Sequence, residues 1–323
     1  MIFDAHGDIW TDVTQKRMMG ERNIIKKFHF EKYKEGEVDA GIFVIWIDPP
    51  YDKDPKKRLI EIVKNMSVEI NDNKDIIKLV KKFEDFEIAK KENKFGAMIG
   101  LEGLSYIKEN DGTIDALYNF GARHASLTWN EENELATGVK GNPERGLTNL
   151  GKKIVKRMEK IGMIVDVSHA NEKTFWDIAS EVSKPIIASH SNCRTLCDHP
   201  RNLTDEQIKE IKNLGGVIGI NAFPDFVHKE RKKRNIENLA SHIDYIVGLA
   251  GIDHVGFGFD FCDFLTGDTM ASFAEDSEET VEGLENVSKV PELISILSQK
   301  GYSEKDIEKI KSKNFMRVIK EIV

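Results

Sequence analysis

The stretch Phe3-Asp4-Ala5-His6-Gly7-Asp8 places an imidazole and a carboxylate two residues apart at the end of a short apolar run. In an extended strand, side chains two residues apart point to the same face, so His6 and Asp8 are expected to converge on one point. A neutral imidazole and a carboxylate suit zinc and similar metals. The pattern alone is weak, because a helix-capping or solvated pair has the same spacing.

Short apolar runs alternate with helix-period segments along the whole chain. The expected strands are residues 2–9, 40–47, 95–102, 124–129, 163–169, 185–190, 216–223 and 254–261. The expected helices are residues 58–90 (broken near 71–73), 149–162, 171–182, 204–215, 236–251 and 291–301. Eight strands interleaved with helices predict an α/β fold, the (β/α)₈ TIM-like barrel, built as a parallel sheet with right-handed crossovers. An open, doubly wound sheet is the alternative, because periodicity does not prove closure.

We expect residues 1–323 to form a single domain, since barrels reach this length without dividing. Two polar stretches interrupt the alternation, near residues 11–37 and 263–285. The first is predicted to be a long loop or a small excursion, and the second a long loop after the last strand. Loops at this end of a barrel cover active sites, so both are candidates for controlling substrate access.

The composition excludes several classes of protein. The formal net charge of −8 argues against general nucleic-acid binding and against a basic membrane surface. No apolar run approaches the roughly 20 residues that span a bilayer, and no secretion signal is recognisable at the start. Cys193, Cys197 and Cys262 are expected to be free thiols rather than a disulfide framework. A reducing, cytoplasmic location is the simplest expectation.

Histidine and acidic residues fall at the ends of five expected strands. They are His6, Asp8, Glu102, His169, His190 and Asp260. The carboxyl ends of barrel strands form the catalytic face, so we expect these side chains to gather there. A catalytic zinc ion has three protein ligands, so six side chains are too many for one ion. Two metals ~3.5–4 Å apart that share one carboxylate make better use of the six side chains. Glu102, central in the chain and followed by the small Gly103, is the expected bridge.

Longer motifs surround these residues. They are His6-Gly7-Asp8, Gly100-Leu101-Glu102-Gly103, Asp166-Val167-Ser168-His169, Ala188-Ser189-His190-Ser191-Asn192, His199-Pro200-Arg201-Asn202-Leu203-Thr204-Asp205, Gly215-Gly216-Val217-Ile218-Gly219-Ile220-Asn221 and His254-Val255-Gly256-Phe257-Gly258-Phe259-Asp260-Phe261. Together they make the chain resemble the renal (membrane) dipeptidase family, zinc peptidases on an amidohydrolase-like barrel. The resemblance covers essentially the whole length.

The resemblance implies that small dipeptides, with D-residues at the second position left open, are hydrolysed by a hydroxide bridging two Zn²⁺ ions. Other divalent metals stay open, as does a homodimer. It implies that one ion binds His6 and Asp8, that Glu102 bridges, and that the other ion binds two histidines, His169 and His190. It also implies that Arg201 holds the substrate carboxylate and that Asp260 faces the substrate amino group or carries a proton.

One position departs from the family. Trp129 stands where mammalian members have a histidine thought to polarise the scissile carbonyl, and we expect it to form part of the pocket wall. Two other functions therefore stay open. A deacylase or lactonase on the same metals would not need Arg201, and a metal-bearing binding protein would be inert towards dipeptides.

Overall fold

The computed structural model describes residues 1–109, 112–265 and 280–323. The strands are β1 (Ile2–Gly7), β2 (Val38–Trp46), β3 (Ile77–Val80), β4 (Phe95–Glu102), β5 (Ala122–Ser126), β6 (Ile164–Asp166), β7 (Ile187–Ala188), β8 (Val217–Ile220) and β9 (Val255–Phe257). The helices are α1 (Ile9–Met18), α2 (Phe30–Glu35), α3 (Pro55–Asp72), α4 (Asp85–Lys91), α5 (Thr113–Phe120), α6 (Asn149–Ile161), α7 (Glu172–Glu181), α8 (Asp205–Asn213), α9 (Pro224–Val227), α10 (Ile236–Ala250), α11 (Val290–Gln299), α12 (Glu304–Glu308) and α13 (Asn314–Ile322).

Eight of these strands close into a barrel. They pair in the order β1-β2-β4-β5-β6-β7-β8-β9, with β9 returning to β1, and every pairing is parallel. Each of the eight lies inside or overlaps a range expected from the sequence. The predicted (β/α)₈ barrel is confirmed, and closure rules out the open sheet.

Strand β3 was not expected. It pairs with the first half of β4, from Ile77 opposite Phe95 to Val80 opposite Met98. The predicted helix over residues 58–90 does break where expected, because α3 ends at Asp72, and it resumes in α4. The prediction is wrong only for the segment between them, which contains β3. Ile77 and Val80 are buried while the two residues between them are half-buried. The apolar spacing fits a helix, but pairing with β4 satisfies the backbone as a strand.

The expected loop at residues 11–37 is mainly helical. Helix α1 starts at Ile9, directly after the motif that ends in Asp8, and buries Ile9, Trp10 and Val13. A π-helical turn at Ile25–His29 leads into α2. Most of the basic residues of this segment lie on its outer surface, while its buried apolar residues pack in the hydrophobic core. Its helices hold the loop that follows β9, since Lys32 Nζ lies 2.7 Å from Asp263 Oδ2.

Other expected features are found as predicted. Helix α8 begins with a capping box in which Thr204 and Gln207 exchange side-chain and backbone hydrogen bonds. Of the expected loop at residues 263–285, residues 266–279 lie outside the described residues. None of the described helices is both long and apolar enough to cross a bilayer.

Candidate metal centre and substrate pocket

The six predicted strand-end side chains meet at the carboxyl end of the barrel. The Nε2 atom of His6 is 3.5 Å from Glu102 Oε2, 3.7 Å from Asp260 Oδ1 and 3.8 Å from Asp8 Oδ2. Residues His6, Asp8 and Asp260 can therefore offer three ligand atoms to one ion. A second group of three ligand atoms comes from His6, Glu102 and His190.

The two oxygens of Glu102 face different histidines. Its Oε2 faces His6, whereas its Oε1 lies 2.7 Å from His169 Nε2 and 3.6 Å from His190 Nε2. The two latter Nε2 atoms are 2.9 Å apart. A carboxylate shared by two neighbouring cations needs this placement.

A register shift in β1 aims His6 into the site. Asp4 pairs with Gly41 of β2 and Gly7 pairs with Phe43. Strand β1 thus advances by three residues where β2 advances by two. Such a bulge redirects a side chain at a strand end. Asp8 lies beyond the strand, at the residue before α1. The expected convergence of His6 and Asp8 is therefore confirmed, but simple alternation along one strand is not its cause.

Unpartnered polar atoms show that this arrangement suits a cation. Both ring nitrogens of His6 and one oxygen of Asp8 are buried without a hydrogen-bond partner among the described residues. Leaving such atoms unpaired costs about 1–3 kcal/mol each. Three carboxylates also crowd one imidazole, which leaves excess negative charge in a buried space. A divalent ion would satisfy both, so the residues present fit a metal.

The pKa shifts describe the same charge imbalance. Burial, with a contribution from the Asp8 charge, raises the pKa of Glu102 to about 7, although nearby His6 lowers it. Burial lowers the pKa of His169 and of His190 well below the usual value, and the Arg201 charge adds to the effect. Both histidines are therefore neutral, which is the form that binds a metal.

A buried hydrogen-bond chain orients His190. Ser189 Oγ donates to Asp166 Oδ2 at 2.6 Å, so its proton is used there. The Nδ1 of His190, 2.7 Å from Ser189 Oγ, must then be the donor in their contact. Because Nδ1 carries the proton, Nε2 of His190 is unprotonated and its lone pair faces the site. Asp166 also contacts His124 Nε2 at 2.9 Å. None of the sequence motifs indicated these roles of Ser189 and His124.

Asn130 plays the same part for His169. Its Oδ1 lies 3.0 Å from His169 Nδ1, and an amide oxygen can only accept, so the Nδ1–H donates. The Nε2 of His169 is then free to face Glu102. Outer contacts of this kind fix the tautomer of ligating histidines. No motif in the sequence pointed to Asn130, although it directly follows Trp129.

Arg201 is buried beside the two histidines. It donates to the carbonyl oxygens of Ser168 and His190, and its Nη2 lies 3.4 Å from His169 Nε2. Its Nε has no partner among the described residues. Asp205, four residues further along the same motif, is not its partner, since that carboxylate accepts from Tyr245 and Thr195.

A cavity of about 200 Å³ opens in front of these groups. Its lining includes the predicted Asp8, Glu102, Trp129, His169, Arg201 and Asp260. Trp129 lies in the cavity wall, as expected, and packs on Trp46 with ring centroids 5.1 Å apart. Sequence reasoning missed other lining residues, among them Trp46, Lys140, His199, Phe226 and Cys262.

Asp260 has an unusual backbone for a residue with a side chain. Its φ is +59°, in the left-handed region, and its Oδ2 accepts a hydrogen bond from Asn221 Nδ2 at 3.0 Å. Such strain persists where surrounding structure enforces it, often at functional sites. Burial, with the charge of Asp8, raises the pKa of Asp260 to about 6, while His6 lowers it.

Three cysteines and two further histidines lie outside the metal cluster. The cysteines are free, as predicted. His29 is buried with its Nε2 2.7 Å from Asp12 Oδ2. His242 lies on α10, where it links Cys193 to Val227.

The closed parallel barrel and the cluster of histidines and carboxylates at its carboxyl end define a metal-dependent hydrolase. The sequence model of the membrane dipeptidase family, peptidase family M19, matches residues 1–323. The chain belongs to this family and is a metal-dependent dipeptidase.

Individual relatives agree with this assignment. A Klebsiella pneumoniae protein described as uncharacterized, in the pqqA 5′ region, is 33% identical over 72% of this chain and 84% of its own length. An uncharacterized dipeptidase of Schizosaccharomyces pombe is 34% identical over 71% of this chain, and the match spans about half (53%) of that protein. A Rhodobacter sphaeroides metallopeptidase, crystallised with a phosphinate mimic of L-Ala-D-Ala, has a TM-score of 0.87 with 21% identity, covering 100% of this chain and 99% of its own. At that identity the likeness concerns the fold.

Proposed function

We propose that the chain cleaves small dipeptides at a centre of two Zn²⁺ ions, with Glu102 as the shared ligand. His6 and Asp8 would hold one ion, and His169 and His190 the other. The observation that carries this proposal is the division of Glu102's two oxygens between His6 and the other two histidines. When bound, the ions would polarise the scissile carbonyl and lower the pKa of a water towards neutrality.

Arg201 and Asp260 are proposed to position the two ends of the substrate. The guanidinium lies beside His169, so a substrate carboxylate on that side would be paired with a buried cation. Asp260 lies near His6, with its Oδ1 3.7 Å from His6 Nε2, where it can face the substrate amino group. Reading both charged ends restricts the site to short substrates, because a longer chain would leave Arg201 without an anion.

Asp260 is also suited to move the proton. Its Oδ1 lies 3.7 Å from His6 Nε2, beside the proposed ions, so the carboxylate can take a proton from the attacking water. It can then give that proton to the leaving amine as the C–N bond breaks. The Asn221 amide holds its second oxygen, which keeps Oδ1 directed at the site.

Metal analysis with a dipeptide panel tests this function. Two zinc ions per chain and cleavage of dipeptides, including some with a D-residue second, are the expected results. The D-residue arm is motivated by the L-Ala-D-Ala mimic bound to the Rhodobacter relative. Metal-loaded protein that is inert on the panel would favour a binding protein and contradict the proposal.

Arg201→Ala separates a dipeptidase from a deacylase or lactonase. The dipeptidase loses most of its kcat/KM on free dipeptides, since hydrogen bonds to charged groups contribute about 1.5–3 kcal/mol. Activity on substrates without a free carboxylate, undiminished by this change, would favour the other hydrolases. Glu102→Gln serves as the reference for complete loss.

The cellular setting and assembly are also proposals. Three free thiols, two of them buried, are compatible with a reducing cytoplasm. We propose that the barrel and its excursions form one domain and that two copies associate. Exposed apolar side chains on α1 and α3, including Met18 and Ile60, support an association. Light scattering of the purified protein would show the oligomeric state.

A further inference from the structure

Lys140 is a cation that lines the pocket and has no role in the proposed mechanism. It lines the same cavity as Arg201, and its Nζ lies 5.9 Å from the centroid of the Trp129 ring. Within residues 1–109, 112–265 and 280–323, no carboxylate forms an ion pair with it. Its charge is therefore available to a ligand.

The carboxylates around the cavity are already engaged. Asp8, Glu102 and Asp260 belong to the metal cluster. Asp225, at the rim, lies 2.6 Å from the guanidinium of Arg234. The positive charge of Lys140 is thus not neutralised by the pocket that surrounds it.

The loop that carries Lys140 is tied to the metal centre. The Lys140 N–H donates to the Asn130 carbonyl at 2.9 Å, and the Val139 N–H donates to the His169 carbonyl at 3.1 Å. Asn130 in turn holds the ring of His169. The position of the Lys140 backbone is therefore fixed relative to a metal ligand, although its side chain is exposed.

Lys140 and Arg201 act on the same side of the pocket. Arg201 Nη2 lies 3.4 Å from His169 Nε2, and the His169 ring lies 6.2 Å from the Trp129 ring, centroid to centroid. Trp129 is the ring next to Lys140, so both cations lie near His169. The acidic Asp260 lies beside His6, with its Oδ1 3.7 Å from His6 Nε2.

We propose that Lys140 selects dipeptides whose C-terminal residue has an acidic side chain. The inference rests on the proposed function, in which Arg201 takes the α-carboxylate of that residue. A second carboxylate on the same residue would then lie on the cationic side of the pocket. A glutamine or asparagine of equal size would gain much less from Lys140, because its side chain has no charge.

The test compares L-Ala-L-Glu with L-Ala-L-Gln, which differ by charge at nearly constant shape. The expected wild-type preference for the acidic dipeptide falls three- to tenfold in Lys140→Met, about 0.7–1.4 kcal/mol, a range suited to an exposed ion pair. Lys140→Arg retains the preference. Raising the ionic strength reduces it in the wild type, since salt screens an exposed charge.

Lys153→Met is the matched control, because Lys153 is an exposed lysine on α6 away from the pocket. It should leave the preference unchanged. Equal kcat/KM values for the two dipeptides in the wild type would overturn the inference. So would an equal fall on both in Lys140→Met, which would show that Lys140 contacts only the shared α-carboxylate.

Turnover of L-Ala-L-Ala reports the proposed function separately. If the metal-loaded wild type cleaves neither this dipeptide nor any other member of the panel, the proposed function fails. The role of Lys140 is then decided by calorimetric binding of the same acidic and neutral dipeptides to wild type and Lys140→Met. Tighter binding of the acidic dipeptide that depends on Lys140 supports the inference, and equal binding contradicts it.

Discussion

Glu102 is the residue through which the two halves of the proposed metal centre meet. Its position at the end of β4 lets one oxygen face His6 from β1 while the other faces two histidines that follow β6 and β7. Counting Glu102 itself on β4, ligands from four strands thus meet at this side chain. We therefore expect a change of Glu102 to cause a severe loss of activity.

Glu102→Gln should lower kcat/KM by about 10³-fold or more, equivalent to about 4 kcal/mol of transition-state stabilisation. The amide has nearly the same shape but offers no second anionic oxygen. Steady-state kinetics and zinc content of the purified variant measure the effect, with circular dichroism to verify folding. Glu134→Gln, at an exposed position, should keep wild-type activity. Retention of most turnover in the Glu102 variant would refute its bridging role.

Ser189→Ala tests the chain that orients His190. Loss of the hydroxyl removes the link between His190 Nδ1 and Asp166. We expect zinc affinity to fall 10–100-fold, the usual cost of losing a partner of a ligating histidine. A competition titration with a zinc chelator measures the affinity.

Ser191→Ala is the natural control for this experiment. Ser191 is equally buried, but its Oγ has no hydrogen-bond partner among the described residues. It should bind zinc like the wild type. Equal affinities in the Ser189 and Ser191 variants would show that the hydrogen-bond chain does not orient His190.

At the scale of elements, β7, β8 and β9 approach closely below the centre. The Ser189 carbonyl fits between Gly219 and Gly258, where an added Cβ would lie 1.9 and 1.6 Å from that oxygen. Because the obstacle is backbone, it cannot rotate away. These two glycines therefore let His190 and Asp260 reach the same site.

Gly258→Ala should lower the free energy of unfolding by about 1–3 kcal/mol or more, since overpacking forces the backbone to shift. Gly248→Ala is the matched change. Its Cβ would meet nothing within 4 Å on α10, and replacing a helical glycine should raise stability by about 0.5–1 kcal/mol. Urea denaturation of both variants measures the difference. A Gly258 variant as stable as the Gly248 variant would contradict the close packing.

For the whole molecule, the metals are expected to stabilise the folded state. They would bind a preformed cluster of buried carboxylates and histidines that does not exist in the unfolded chain. At free zinc 1,000 times its Kd, the gain is about 4 kcal/mol. The melting temperature should therefore fall on chelation and return when zinc is added.

A variant with His6→Ala and Asp8→Ala provides the comparison. It lacks two ligands of one ion, so its melting temperature should respond less to zinc. An identical zinc-dependent shift in this variant and the wild type would place the stabilising ion elsewhere. Differential scanning calorimetry at fixed protein concentration makes the comparison direct.

The sequence by itself determined the barrel and the identities of the six side chains that meet at its carboxyl end. Strand and helix periodicity is local, and parallel strands necessarily bring their carboxyl ends together. Residues such as His169 and His190 could therefore be placed in one site without knowledge of distances. The same local reasoning failed at β3, where pairing with β4 outweighed an apolar spacing that also fits a helix.

Only the tertiary structure decided how that centre is held and enclosed. The bulge that aims His6, the Ser189 chain behind His190 and the placement of Lys140 near Trp129 depend on contacts between distant segments. No periodicity encodes such contacts, because each is fixed by how neighbouring strands and loops pack. His6-Gly7-Asp8 supplied the ligands, and the fold around it supplied their geometry.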